Sequence, residues 1–233
     1  INVFFQDDIQ ITTTSTEVCI GESVDLTVSS GLTAGSTVCV SSDFSTNLQT
    51  GLVGYWPFCG NANDESENGN NGTVNGATLT TDRFGNPDSA YSFDGDDWID
   101  IGSTELYNLT GGVTISLHYM SSATNSSSQL ILSHPNNEQH RIQLVNNSIK
   151  FEVDNDNWNS VSTEMNINEW VLITAVFDDN NDKIKIYENG IFVEDLSLLN
   201  TNFQSDSVHS RTLLGGYFSG GVGSLIETYT GKL

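Results

Sequence analysis

From residue 170 the chain reads WVLITAVFDDNNDKIKIYENGIFVEDL, three stretches of alternating character separated by DDNND and ENG. An Asn-Gly pair readily takes the positive backbone angles of a tight hairpin, and strands that leave such a turn run antiparallel. Three consecutive antiparallel strands are therefore expected. In KIKIYENG the alternation puts Ile184 and Ile186 on one face and Lys183, Lys185 and Tyr187 on the other, as in a sheet that is dry on one side and wet on the other. No helical period competes with this pattern.

The same grammar recurs upstream. Short strands are expected around Gly76–Leu79, Ala90–Phe93 and Trp98–Ile101, and then at VTISLHYM, QLILSH, RIQLV and SIKFEVD. Strands at this spacing, with turn signals between them, indicate an all-β sandwich or barrel. Gly, Asn, Ser and Thr recur throughout the 233 residues, and there are only three prolines. Residues 8–41 read as two or three more strands, DIQITTT, SVDLTVSS and STVCVSS, which are too few for a sandwich of their own. Residues 1–47 are accordingly read as an N-terminal β segment plus linker, either the remnant of an immunoglobulin-like repeat or an appendage docked on the next domain. Residues 48–233 form the sandwich.

Thirty acidic side chains against seven Lys and Arg give a net charge of −23. A phosphate backbone or an anionic membrane surface would be repelled, whereas divalent cations and neutral glycans would not. No run approaches the roughly 20 apolar residues that cross a bilayer, and no basic-then-apolar leader opens the chain. Membrane insertion and nucleic acid are therefore not expected. Ile1 is not an initiator methionine, so the chain is read as a processed product or an internal fragment.

Cys19, Cys39 and Cys59 show no CxxC pair and no flanking histidines, which argues against zinc. In an oxidising compartment one pair can staple the N-terminal segment to the sandwich. Cys39–Cys59 is preferred over Cys19–Cys39, and the odd count leaves one thiol free or bonded elsewhere.

The run GLVGYWPFCGNANDESENGNNGTVNGATLTTDRFGNPDSAYSFDGDDWIDI closely resembles the opening of bacterial laminin-G-like, or pentraxin- and concanavalin A-like, jelly-roll domains. VTISLHYM, NEWVLITAVFDDNNDKIKIYENGIFV and LLGGYFSGGVGSLIETYTGKL follow in the family's order, so the resemblance covers about residues 48–233. It implies two curved antiparallel sheets packed face to face, and a non-catalytic module of a secreted or cell-surface multidomain protein. This chain departs from the pattern at Glu67, where relatives carry Gly, and at Leu117–His118, where they carry Ala-Trp. It also stops at YTGKL, where the family continues into an acidic closing strand, so an open sheet edge is expected.

The loop 63–72 crowds Asp64, Asn68 and Asn70 into a glycine-bearing turn, and calcium favours such hard oxygens. The resemblance implies a structural calcium ion there; a plain Asx-rich turn is the alternative. Asp94, Asp96 and Asp97 form a second acidic knot, read as a solvated hairpin turn, as is DDNND. Trp56 and Trp170 are assigned to the core by the resemblance. Trp98, Trp158 and Tyr217 border polar loops, where an aromatic can stack on a sugar or seal the sandwich, and Trp158 is the preferred ligand contact.

Glucanases share this architecture and use two carboxylates across the glycosidic bond. The nearest match, Glu152-Val-Asp154-Asn-Asp156, lacks the third glutamate, because position 157 is Asn157. The four histidines show no metal-ligand spacing, and no G-x-S-x-G elbow is present. The reading is a non-catalytic extracellular binding or adhesion module for a glycan or protein partner. The alternative is a structural spacer or polymer subunit that self-associates through a sheet edge, with a glycoside hydrolase behind both.

Overall fold

The computed structural model describes residues 2–3, 9–13, 26–30, 46–102, 112–122, 128–134, 140–154, 158–199, 211–218 and 225–233. The first strands are β1 (Asn2–Val3), β2 (Ile9–Thr13) and β3 (Leu26–Ser30); then come β4 (Leu52–Gly54), β5 (Thr73–Asn75), β6 (Thr78–Thr80), β7 (Ala90–Asp94), β8 (Trp98–Gly102) and β9 (Val113–Ser121). β10 (Gln129–Ser133), β11 (His140–Val145), β12 (Ser148–Asp154), β13 (Trp158–Glu164), β14 (Val171–Asp178), β15 (Lys183–Glu188) and β16 (Ile191–Ser197) follow. The series ends with β17 (Thr212–Leu214), β18 (Tyr217–Phe218), β19 (Leu225–Ile226) and β20 (Thr230–Lys232). Thr46–Gln49 forms a single helical turn, α1, across the expected boundary between linker and sandwich.

Two sheets make the sandwich. One runs β16-β15-β14-β9-β20-β7-β6, with β1 bridging β4 to β9 at its flank, and the other runs β13-β12-β11-β10-β17-β8-β5. Among the described residues β2 and β3 pair only with each other, at two of the N-terminal strands expected, while STVCVSS lies outside the described residues. No helix among the described residues is long and apolar enough to cross a membrane.

Alternation carries the core, as period-2 geometry requires. In β9 and β14 the pairs Val171–Tyr119, Ile173–Leu117, Ala175–Ile115 and Phe177–Val113 stand opposite one another, and all eight side chains are buried. Ile184 and Ile186 extend this layer across β15. Ile142 and Leu144, Ile149, Phe151 and Val153, and Ile99 and Ile101 supply the facing layer. Trp56 is buried as expected, but Trp170 is only half-buried and lines a surface groove instead of the core. It precedes β14 and so escapes the alternation that buries Val171.

At position 67, where the resembled family has Gly, Glu67 takes φ 71°, a left-handed angle that costs a side chain with a Cβ. Leu117 joins the core and His118 faces the groove.

Candidate functional site

Because Ile142 and Leu144 of β11 and Phe151 and Val153 of β12 point inward, Arg141, Gln143, Lys150, Glu152 and Asp154 share the outer face of the seven-stranded sheet. The register sets Arg141 opposite Glu152, and Trp158 of the edge strand β13 opposite Asp154.

A chain of contacts runs across this face. The Arg141 guanidinium lies over the Trp158 ring, 4.0 Å from its centroid. Arg141 Nε donates to Glu152 Oε2 at 2.7 Å, and Gln143 Nε2 donates to the same oxygen. Gln143 Oε1 accepts in turn from Ser128 Oγ at 2.6 Å. Glu152 and Gln143 are nearly buried, whereas Trp158 is 39% exposed. The result is a recessed polar row that ends in an indole at the rim. A cation over one ring face and a row of fixed donors and acceptors beside it can hold a polar ligand that has one apolar face.

Trp98 belongs to β8 on the same outer face, but five strand spacings, about 24 Å, lie between β8 and β13, so it does not join Trp158. Tyr217 starts β18, and its side chain lies outside the described residues. Sequence reasoning placed Trp158 at a loop mouth and missed β13 altogether. It also left Arg141 and Gln143 unremarked, although their alternation with Ile142 and Leu144 puts them on the outer face.

Asp64, Asn68 and Asn70 do converge, in service of the loop itself. The buried Asp64 carboxylate accepts from the backbone amides of Tyr55, Ser66 and Asn70, each at 2.9 Å. The side-chain amides of Asn68 and Asn70 donate to the Leu52 and Val53 carbonyls. Three of the carboxylate's acceptor positions are thus taken by N–H groups, and both Asn side chains turn their donors onto the loop's own backbone, the arrangement of an Asx-rich turn.

A second acidic group lies at the turn between β7 and β8. One carboxylate oxygen each from Asp94, Asp96 and Asp97 lies within 4.8 Å of the others. Asp96 is pushed above the usual carboxyl range, chiefly by its hydrogen bond to Asp94, which is held low by the same bond. Asp97 is pushed up chiefly by burial. The three carboxyls thus perturb one another through a shared hydrogen bond and their close approach.

Cys59 is disulfide-bonded, and its partner lies outside the described residues, as do both Cys19 and Cys39.

Residues 93–228 match the model of the concanavalin A-like lectin/glucanases superfamily. The chain belongs to this superfamily. No curated protein matches it. Among solved structures, a botulinum neurotoxin type C structure is 16% identical with a TM-score of 0.57, over 72% of this chain and 43% of that one. The receptor-binding domain of botulinum neurotoxin mosaic serotype C/D is 13% identical with a TM-score of 0.51, over 73% and 44%. The carbohydrate-binding module CBM40 of the Ruminococcus gnavus IT-sialidase is 16% identical over 62% of this chain and 85% of that one, with a TM-score of 0.49. At such identities the likeness is one of fold, and the chain spans less than half of either toxin chain. This superfamily member is almost entirely β, two antiparallel sheets packed as a jelly-roll sandwich.

Proposed function

We propose that this superfamily member is a non-catalytic glycan-binding module of an extracellular or cell-surface protein, and that it reads its ligand along Trp158, Arg141, Glu152 and Gln143. The observation that carries the reading is the half-exposed indole continued by that recessed row of fixed polar groups. A pyranose has an apolar C–H face that suits an aromatic ring, and equatorial hydroxyls that both donate and accept. Arg141 offers donors, Glu152 an acceptor and Gln143 both.

Three further points support the class. Cell entry of the neurotoxin type C neighbour is dependent upon interaction with two ganglioside molecules, which makes a glycan the first ligand class to test here. The Cys59 disulfide suits an oxidising compartment. Glu152, paired with Arg141 and Gln143 through one oxygen and nearly buried, is poorly placed to carry a proton to a leaving group. If a structural calcium ion accompanies the fold, Asp94, Asp96 and Asp97 are the place to seek it.

A glycan array probed with the full chain tests this reading, with Trp158→Ala beside it. Saturable binding to a sugar class that falls at least tenfold in Trp158→Ala, with the melting temperature unchanged, supports it. A blank array, or binding indifferent to the indole, overturns it.

A further inference from the structure

The polar row on the outer face does not stop at Gln143. Gln143 Oε1 accepts from Ser128 Oγ at 2.6 Å, and Ser128 also lines a hollow of about 390 Å³ together with Gln129, Glu227, Thr228 and Thr230. Ser128 is thus the last member of the row and the first of the hollow. All five residues are half-buried, and no apolar side chain and no cation is among them. The strand order β13-β12-β11-β10 puts Trp158 and Gln129 three strand spacings apart, about 14 Å across the face.

The chain holds these side chains in place. Between Thr228 and Thr230, Tyr229 turns into the core, where its hydroxyl lies 2.8 Å from the Met120 carbonyl oxygen and 3.0 Å from that of Lys232. The Tyr229 N–H donates to Gly215 O at 2.8 Å and the Leu130 N–H to Glu227 O at 2.7 Å, which fixes the segment against β10. Glu227 takes φ 51°, a left-handed angle that costs a residue with a Cβ and that recurs where ligands are held. The fold makes little use of the groups so positioned. Gln129 Oε1 accepts from the Thr230 N–H at 3.4 Å, but the Gln129 amide nitrogen, the Glu227 carboxylate and the Thr228 hydroxyl make no hydrogen bond among the described residues.

Ligand pockets are mostly apolar with a few polar groups; this one is polar throughout, which suits a ligand that is itself covered in hydroxyls. Gln129 and Thr228 offer donors, Glu227 and Ser128 acceptors, and a sugar hydroxyl uses both. A carboxylate with no cation beside it disfavours an anionic group there. We propose that the hollow is a second subsite of the glycan site, and that the ligand is a neutral oligosaccharide laid from the Trp158 indole past Glu152 and Gln143 into it. This rests on the glycan reading above and adds the length and the charge of the ligand. A single pyranose does not span three strand spacings. A chain of them that engages both ends makes its second contact intramolecularly, so affinity rises with length.

Isothermal titration calorimetry with neutral gluco-, galacto- and manno-oligosaccharides of one to six units tests the extension, on the full chain and on its Thr228→Val and Glu227→Gln variants. In the series that binds, affinity should rise at least tenfold once the sugar is long enough to reach both ends. That gain should shrink at least threefold in Thr228→Val, whose side chain keeps its shape but loses the hydroxyl, while the shortest ligand that binds should not distinguish the two chains. A uronic acid on the unit that enters the hollow should abolish the gain in the full chain, and Glu227→Gln should restore part of it. Melting temperatures of the variants confirm that they fold, and a variant that does not is replaced by the comparison of neutral with acidic ends on the unaltered chain. Affinity indifferent to length, a length gain indifferent to Thr228→Val, a preference for the acidic end, or no binding in any of the three series overturns the extension. Binding that still depends on Trp158 on the glycan array would then uphold the broader reading alone, and a blank array would remove both.

Discussion

His134 and His140 meet inside the seven-stranded sheet with their Nε2 atoms 3.0 Å apart and their rings in edge contact at 4.3 Å. Both are buried, Thr212 Oγ1 lies 3.2 Å from His134 Nδ1, and His140 Nδ1 has no hydrogen-bond partner. One proton can sit between the two Nε2 atoms; a second would put a charge where nothing receives it. Burial lowers His140 to about 3, and burial together with His140 holds His134 well below its ordinary value. The unfolded chain titrates both near 6.5, so the folded state binds fewer protons between that pH and about 3. Their contribution is complete above pH 6.5 and declines as the pH falls, by at most about 1.4 kcal/mol per unit for each group. Urea unfolding between pH 7.5 and 5, above most carboxyl titration, should show this slope. A His134→Leu/His140→Leu chain should lack it, and an equal slope in both chains would refute the assignment.

Arg141 and Glu152 form an ion pair with little exposure on either side. Removing one member of such a pair strands the other. Glu152→Ala should therefore cost about 3 kcal/mol, and the double substitution Arg141→Leu/Glu152→Leu distinctly less than the sum of its single changes. Denaturant midpoints of the four chains give the coupling, and strictly additive losses would sink it.

Asp64 holds its loop through three backbone amides, whereas Asp97 belongs to the acidic knot. Asp64→Asn should destabilise the domain by about 2 kcal/mol equally in calcium and in chelator, since charged acceptors are worth roughly 1.5–3 kcal/mol. Asp97→Asn should be the change that abolishes a calcium-dependent rise in melting temperature. A calcium response lost in Asp64→Asn and kept in Asp97→Asn would reverse these roles.

Glu67 at φ 71° carries a Cβ where glycine is at ease, and it lies exposed next to the half-buried Ser66. Glu67→Gly should raise stability by about 0.5–1 kcal/mol, provided the relief in the folded loop outweighs the added freedom of the unfolded chain. Thermal unfolding decides it, and a lower melting temperature would mean that the angle is not strained.

The sandwich was legible because hydrophobic alternation is a local signal. Ile184 and Ile186 lie inward, with Lys183, Lys185 and Tyr187 opposite, just as KIKIY requires. β13 was not legible: WNSVSTE buries only Val161, since an edge strand with a wet outer face carries little apolar patterning. The site was half legible. Trp158 stands out from its polar neighbours, but its partner Arg141 lies 17 positions away, joined by a register that only the folded sheet fixes. In the loop 63–72 the sequence shows oxygen-bearing side chains close together but not that the Asn68 and Asn70 amides donate to the Leu52 and Val53 carbonyls, because sequence does not say which way an Asn side chain turns.

β20 sits between β9 and β7 and is the link through which β7 and β6 join the rest of their sheet. During synthesis β9 therefore leaves the ribosome about a hundred residues ahead of the strand it must meet, a lag of roughly 5–20 s at ordinary elongation rates. Throughout that interval Phe93 and Tyr91 have no finished sheet to enter, and a chaperone that shields them must let go only after residue 232 has emerged.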